Sequence, residues 1–195
     1  IREQDHHRVI VKGIGCFWKT SSSPVNAISG ALLTMNRDGT INLNCGVVEL
    51  GQGTKTALAQ VLAERLKMDV SKVHVVMDVN TEVSPEHWKT VASKGLYMAG
   101  NAVMRAADDL IHELREAAAI VLRCAPIDLD VAESKVYIKT DPSKYLEFKD
   151  IAHGYSYEDG NSIGGQLMAR GSFIMPHLTS LDKNTGKGKS GPAWT

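Results

Sequence analysis

The residues best placed to do chemistry lie in two short stretches. Gly46 to Thr56 reads G-V-V-E-L-G-Q-G-T-K-T, and Thr90-Val91-Ala92-Ser93 follows further along. The first follows an apolar run and the second a long connection, and each opens an amphipathic pattern, so each is expected at the mouth of a helix. The first N–H groups of a helix are unpaired and slightly positive, which suits a phosphate or another anion. Glycines on both sides of Gln52 permit φ > 0 and the close approach of a ligand. Leu50, Gly51, Gln52 and Gly53 together with Thr90, Val91, Ala92 and Ser93 would offer backbone donors, an amide and hydroxyls, with little net positive charge. If the two ends converge, that set suits a polar, multiply hydrogen-bonding anion such as a pterin or a nucleotide phosphate. Glu49, inside the loop, could accept hydrogen bonds from loop N–H groups to hold the turn, a reading favoured over a direct chemical role. The bland alternative for the whole stretch is a tight strand-to-helix turn carrying a surface amide.

Other arrangements do not survive their spacing. Gly188-Lys189-Ser190 resembles the end of a phosphate-binding loop, but the required first glycine falls at Lys183. His112-Glu113 lacks the second histidine of a zinc protease, because that position holds Glu116. His6-His7 sits in a ragged start and suits a mobile segment better than a metal site. Asp108-Asp109 shares a helix with Arg105 and Arg115 and is most simply a solvated face. Cys16, Cys45 and Cys124 are odd in number and widely spaced, which argues against a disulfide framework or zinc and fits a reducing cytosol. No catalytic residue and no metal ligand is assigned from spacing alone.

The elements that must position the two stretches follow from periodicity. Ala31–Met35 and Ile41–Val48 are apolar runs flanking Asp38-Gly39, a strong hairpin signal, and the second run delivers the Glu49–Gly53 turn. Thr54 to Lys67 carries Leu58, Val61, Leu62 and Leu66 on one stripe, as a helix does. Asp69 to Ser71 ends it, and Val73–Met77 makes a short strand, giving a βαβ-like unit. Asp78 to Lys94 is a long connection containing Pro85, His87 and Trp88; loops of that length are usually functional or disordered, and the Trp argues against disorder. Ser93 is placed to cap a long helix from Lys94 to Arg123. Val103, Ala106, Ala107, Leu110, Leu114, Ala118 and Val121 form its stripe. The small residues from Ala99 to Ala107 predict something packed closely against its first half. Pro126 ends the helix, Lys135–Lys139 is a strand, Phe148–Ala152 a helical turn, and Gln166–Ile174 a strand. The fold class is α+β: a mixed sheet with a βαβ-like unit and a long helix, in one unit spanning 1–195.

Composition narrows the class of partner. Twenty-two Lys and Arg balance twenty-two Asp and Glu, so no global field recruits nucleic acid or an anionic membrane. The longest apolar runs fall far short of the ~20 residues that span a bilayer. No secretory signal is visible, and a cytoplasmic location is expected. The start at Ile1 and the aromatic tail Gly191-Pro192-Ala193-Trp194-Thr195 suggest an excised piece of a longer polypeptide.

One family combines these features. E-L-G-Q-G-T-x-T-x-L-x-Q-x-x-A-E-x-L over Glu49–Leu66 resembles the large-subunit signature of the xanthine dehydrogenase/aldehyde oxidase family of molybdenum hydroxylases. The resemblance continues through P-E-H-W-K-T-V-A-S (Pro85–Ser93) and G-N-A-V-x-x-A-A (Gly100–Ala107), in register from Gly13 to Leu122. It implies the molybdenum-cofactor-binding domain, with both segments cradling molybdopterin, usually its cytosine dinucleotide in bacterial members. Gln52 would then hydrogen-bond near the molybdenum oxo group or pterin end, with Leu50 and Gly51 beside it and Gly53 closing the loop. Thr90, Val91, Ala92, Ser93, Lys94 and Gly95 would hold the pterin and pyrophosphate. Val91 and Lys94 depart from the small or neutral residues many relatives carry.

The same resemblance implies a redox enzyme larger than this chain. Hydroxylation of a carbon beside a ring nitrogen or carbonyl would use water's oxygen, and electrons would leave through [2Fe–2S] centres and FAD on partner domains or subunits. The family's catalytic glutamate lies outside this chain, so the fragment alone is expected to be inactive. Purines, nicotinate, aldehydes and aromatic thioesters all remain open as the small-molecule substrate. The small-residue helix face after Ser93 fits tight packing within or between chains, and the intact enzyme is expected to be an oligomer. Two rivals stand beside this reading: an assembly domain that has lost the cofactor, and a nucleotide-binding domain without molybdenum.

Overall fold

The structure, a computed structural model, describes residues 3–5, 8–17 and 23–188. His6-His7, Ser21-Ser22, Lys189-Ser190 and the 191–195 tail lie outside the described residues. In chain order the elements begin with the short antiparallel pair β1 (Glu3–Asp5) and β2 (Arg8–Ile10), followed by β3 (Ile28–Met35) and β4 (Ile41–Cys45). Next come α1 (Thr54–Leu66), β5 (Val73–Val76) and the long α2 (Lys94–Leu122). The remainder is β6 (Leu129–Ala132), β7 (Lys135–Ile138), β8 (Asp141–Glu147), α3 (Phe148–Ile151), β9 (His153–Ser156), β10 (Ser162–Gln166) and β11 (Met168–Ile174). The fold is α+β.

The central sheet has the order β11-β3-β4-β5. β3 and β4 pair antiparallel around the Asp38-Gly39 turn, whereas β4 and β5 run parallel with α1 as their crossover. Alternation puts Ala31, Leu33 and Met35 of β3, and Ile41, Leu43 and Cys45 of β4, on one buried face. Leu58, Leu62 and Leu66 of α1 and Met98, Leu110 and Leu114 of α2 cover that face. The hairpin is tied by Asp38, whose Oδ1 accepts from the Thr40 hydroxyl at 2.7 Å and the Thr40 amide at 3.0 Å. Gly39 sits at φ 81°, a conformation that costs glycine little.

The small-residue half of α2 lies directly on β11. A Cβ built on Gly171 would fall 2.2 Å from the Ala102 carbonyl oxygen and 2.3 Å from the Ala106 amide nitrogen. Helix and strand backbones therefore touch at Ala102 and Ala106, which accounts for the small residues there, whereas a Cβ on Gly100 would meet nothing within 4 Å.

Several boundaries differ from the sequence expectation, each for a local reason. α1 and α2 end at left-handed residues, Lys67 (φ 50°) and Arg123 (φ 54°), so Pro126 opens a following 3-10 turn and does not itself break α2. Asp69 caps a separate turn, accepting from the Ser71 amide at 2.8 Å. The Gln166–Ile174 run is two strands: β10 pairs with β9, and β11 with β3. Leu167 is the joint, donating to the Ala152 carbonyl and accepting from Met35. β6 and β8 flank the expected β7 in a three-stranded antiparallel sheet that periodicity does not announce.

Candidate cofactor cradle

The two chemistry-bearing stretches meet because of how β4 ends. β4 leaves the β3 ladder after Cys45, which faces Ala31. The vacated edge of β3 is taken over by the long connection: the Gly30 amide donates to the Glu86 carbonyl at 2.8 Å, and the Trp88 amide to the Ile28 carbonyl at 2.9 Å. Ser29 and His87 bridge between them. This substitution needs glycine at two points. A Cβ on Gly46 would sit 2.3 Å from the Pro85 carbonyl oxygen, and one on Gly30 would sit 2.8 Å from the Pro85 Cβ. Val48 then donates its amide to the Thr90 hydroxyl at 3.1 Å, a direct tie between the stretches.

The result is a cavity of about 420 Å³ between the two helix mouths. Gln52, Gly53, Thr54 and Ala57 line one side. Thr90, Ala92, Ser93 and the first turn of α2 (Gly95, Leu96, Tyr97) line the other. Tyr97 is braced from behind by an edge-on contact with Phe173 of β11, 5.5 Å between ring centroids. A hollow of about 470 Å³ between α1, α2 and β6 is larger, but its charged side chains are already engaged with one another: Arg65 pairs with Asp108, and Arg115 and Lys67 share Asp130.

The α1 mouth is finished by its own loop. Glu49 Oε1 accepts from the amides of Gly51 (2.8 Å) and Gly53 (3.0 Å), and Oε2 from the amide of Lys55 (2.8 Å). These bonds, that from Lys55 foremost, hold the Glu49 carboxyl below its ordinary pKa. Gly51 (φ 95°) and Gly53 (φ 81°) supply the left-handed turns that bring their amides round to the carboxylate. Gln52 is folded back as well, its Oε1 accepting from Leu50 at 2.5 Å and its Nε2 donating to the Val48 carbonyl at 2.8 Å.

The α2 mouth is finished differently. Ser93 occupies the N-cap position, but its side chain makes no capping hydrogen bond. Ala92 just before it is left-handed at φ 47°, an uncommon conformation for a residue with a Cβ. The Lys94 amide donates to the Val91 carbonyl at 3.1 Å, while the first-turn amides of Gly95 and Leu96 have no acceptor within the helix. The Lys94 side chain is 3% exposed and donates to the Ser23 hydroxyl at 2.7 Å, 5.6 Å from the Trp88 ring centroid.

Of the ten residues singled out by sequence, six line the cavity: Gln52, Gly53, Thr90, Ala92, Ser93 and Gly95. Leu50, Gly51, Val91 and Lys94 do not; the first three belong to the turns that shape the mouths, and Lys94 is turned into the protein. Thr54, Ala57, Leu96 and Tyr97 were not anticipated, although the first turn of each predicted helix pointed to them. His87 holds the strap in place, its Nδ1 3.0 Å from the buried Ser29 hydroxyl. Burial depresses its pKa, and its Nε2 is buried without a hydrogen-bond partner among the described residues. Among those residues, no three His, Cys, Asp or Glu side chains gather as a metal site.

Known proteins share both the sequence and the fold. A family described as the molybdopterin cofactor-binding domain matches residues 2–195. The xanthine dehydrogenase molybdenum-binding subunit of Escherichia coli O157:H7 is 36% identical over 164 residues, 83% of this chain and 22% of that protein. CO dehydrogenase from Oligotropha carboxidovorans superposes with a TM-score of 0.65 at 23% identity, over 76% of this chain and 18% of its own. Quinoline 2-oxidoreductase from Pseudomonas putida 86 does so at 0.61 and 21% identity, over 75% and 19%. The chain thus spans about a fifth of the E. coli relative's length. It belongs to the molybdopterin cofactor-binding domain family of xanthine dehydrogenase-type oxidoreductases.

Proposed function

We propose that the cavity between α1 and α2 holds part of a molybdopterin cofactor, and that the chain is the cofactor-binding portion of a molybdenum hydroxylase. The observation that carries this reading is the convergence itself: two Gly- and hydroxyl-rich helix mouths, tied by the Val48–Thr90 bond, around a mainly apolar cavity in which Gln52, Thr90 and Ser93 are among the few polar side chains. The residues present fit such a group. The open amides of Gly95 and Leu96 suit its anionic end, and the Gln52 amide and the Thr90 and Ser93 hydroxyls suit a heterocycle rich in donors and acceptors. A metal here would be held by the cofactor's own donors.

When bound, the cofactor would supply oxygen transfer from water to a carbon beside a ring nitrogen or carbonyl, with electrons passing to [2Fe–2S] and FAD groups on partner domains or subunits. This chain's own residues bind, orient and exclude water. No general base is assigned among them, so the fragment alone would be inactive, and catalysis would need the rest of a larger cytoplasmic subunit and its partners. The cytosine dinucleotide form of the cofactor is part of the same proposal.

A second reading, an assembly or nucleotide-binding domain without molybdenum, draws on one observation: both ends of the Gln52 amide are engaged by its own loop. The deciding experiment uses the full-length subunit co-expressed with its partners in a cofactor-competent host. Near-stoichiometric molybdenum with a released cytidine nucleotide supports the hydroxylase. A folded complex with nucleotide but no metal, or with neither, supports the second reading.

A further inference from the structure

The α1 mouth should present a bare set of N–H groups, because Gly53 at its N-cap has no side chain and its first turn carries no acidic residue. Instead one carboxylate from upstream satisfies it. Glu49 spans Gly51, Gly53 and Lys55 with both oxygens, placing an anion where a bound phosphate would otherwise sit. Between the first two of those amides lies Gln52, whose own amide is set by the same loop. We propose that Glu49 is the positioning residue of the cavity's α1 side: its carboxylate is the built-in anion of the α1 N-terminus and fixes where Gln52 is presented. The proposal rests on the cofactor reading for what Gln52 faces, but not for how the loop is held.

Chain length explains the choice of residue. Aspartate is one methylene shorter and cannot reach both Gly51 and Lys55 from position 49. Glutamine keeps the shape but replaces one acceptor oxygen with an NH₂, which would face a backbone donor. The loop would then lose at least one bond and all of the charge that favours this end of the helix. Glu64, exposed further along α1 and without these contacts, serves as the control.

The test compares Glu49→Gln, Glu49→Asp and Glu64→Gln in the full-length subunit, made both with and without cofactor supply. In the cofactor-free protein, amide exchange over Gly51–Lys55 should quicken on the order of tenfold in both Glu49 variants and stay at the wild-type rate in Glu64→Gln. In the loaded protein, Glu49→Gln should retain several-fold less molybdenum at a nearly unchanged melting temperature. The Mo(V) resonance of what remains should shift or broaden, which a general loss of stability would not produce. Unchanged exchange in Glu49→Gln overturns the proposal. So does faster exchange with wild-type molybdenum content and an unaltered resonance. Wild-type protein that carries no molybdenum overturns the cofactor reading, and the cofactor-free exchange arm still decides whether Glu49 sets the loop.

Discussion

The two helix mouths at the cavity are completed by opposite means. α1 is closed from within: Glu49 takes the amides of Gly51, Gly53 and Lys55, and Gln52 takes that of Leu50. α2 is finished otherwise: the Ser93 side chain makes no capping bond to its helix, and Gly95 and Leu96, which line the cavity, have amides without an acceptor in the helix. Electrostatics gives the difference a meaning. A helix end already neutralised by a carboxylate repels a second anion, whereas an open one attracts it. On the proposed reading, the α1 side would hold a shape and the α2 side would receive charge.

Both mouths depend on the β4 exit, so the largest effect should come from disturbing it. Gly46→Ala places a Cβ against the Pro85 carbonyl oxygen and must push the strap away from β3. Destabilisation of about 1–3 kcal/mol is expected, read as a lower urea midpoint, together with loss of the bound cofactor. Gly171→Ala meets the α2 backbone equally closely, but on β11, which pairs with β3, and with no strap atom among its nearest neighbours. It should cost comparable stability while the molybdenum bound per folded subunit holds. Equal cofactor loss in both variants would mean that the cradle has no special dependence on the strap.

Thr90→Val is gentler. It keeps the shape of the side chain but removes the acceptor for the Val48 amide, the direct tie between the stretches. A cost of about 1 kcal/mol or less is expected, with a faster off-rate for the cofactor. An unchanged off-rate would show that the two mouths are held together by the strap alone.

The local parts of this architecture could be read from the sequence. Asp38-Gly39 announced its hairpin, and the stripes of α1 and α2 announced their buried faces, because turn chemistry and a 3.6-residue period act over a few neighbours. Sheet β6-β7-β8 was legible only at β7. β8 reads D-P-S-K-Y-L-E, with a single buried residue, Leu146, and no alternation to detect. For the site, the glycines, Gln52 and the second stretch were visible, as was Glu49's work as a loop holder. Their convergence was not, since it depends on Glu86–Trp88 replacing β4 across a long sequence separation. Gly30 and Gly46 were its only local trace. Side-chain direction was also hidden: nothing local says that Lys94 turns inward to Ser23 or that Gln52 folds onto its own loop.

The strap carries a pH dependence of its own. Burial lowers the His87 pKa below its ordinary 6.5 in the folded protein, while a hydrogen bond at Lys89 pulls the other way. The unfolded chain therefore binds this proton first as the pH falls. His87's contribution is complete above the unfolded value of 6.5 and is lost progressively as the pH drops through the folded one. The carboxylates with depressed values, Glu49, Asp38 and Asp69 among them, start from 4.5 or 3.8 and act only at lower pH. Between pH 7.5 and about 5, wild-type stability should fall more steeply than that of His87→Gln. Parallel pH profiles would remove His87 from the strap's energetics.

The smallest effect tests the open mouth directly. Ala92 is exposed, lines the cavity and holds φ 47°. A left-handed residue with a Cβ costs roughly 1–2 kcal/mol, and glycine would relieve that strain while adding roughly 0.5–1 kcal/mol of chain entropy to be lost on folding. Ala92→Gly should therefore raise stability by at most about 1.5 kcal/mol, seen as a small upward shift in the melting temperature. Ala92→Val, β-branched at the same φ, should lower it. If strain at this turn aims the α2 amides into the cavity, the glycine variant will be more stable yet will release its cofactor faster. Were stability and retention to rise together, the left-handed turn would be a cost the site does not use. The contrast between the two mouths would then rest on Glu49 alone.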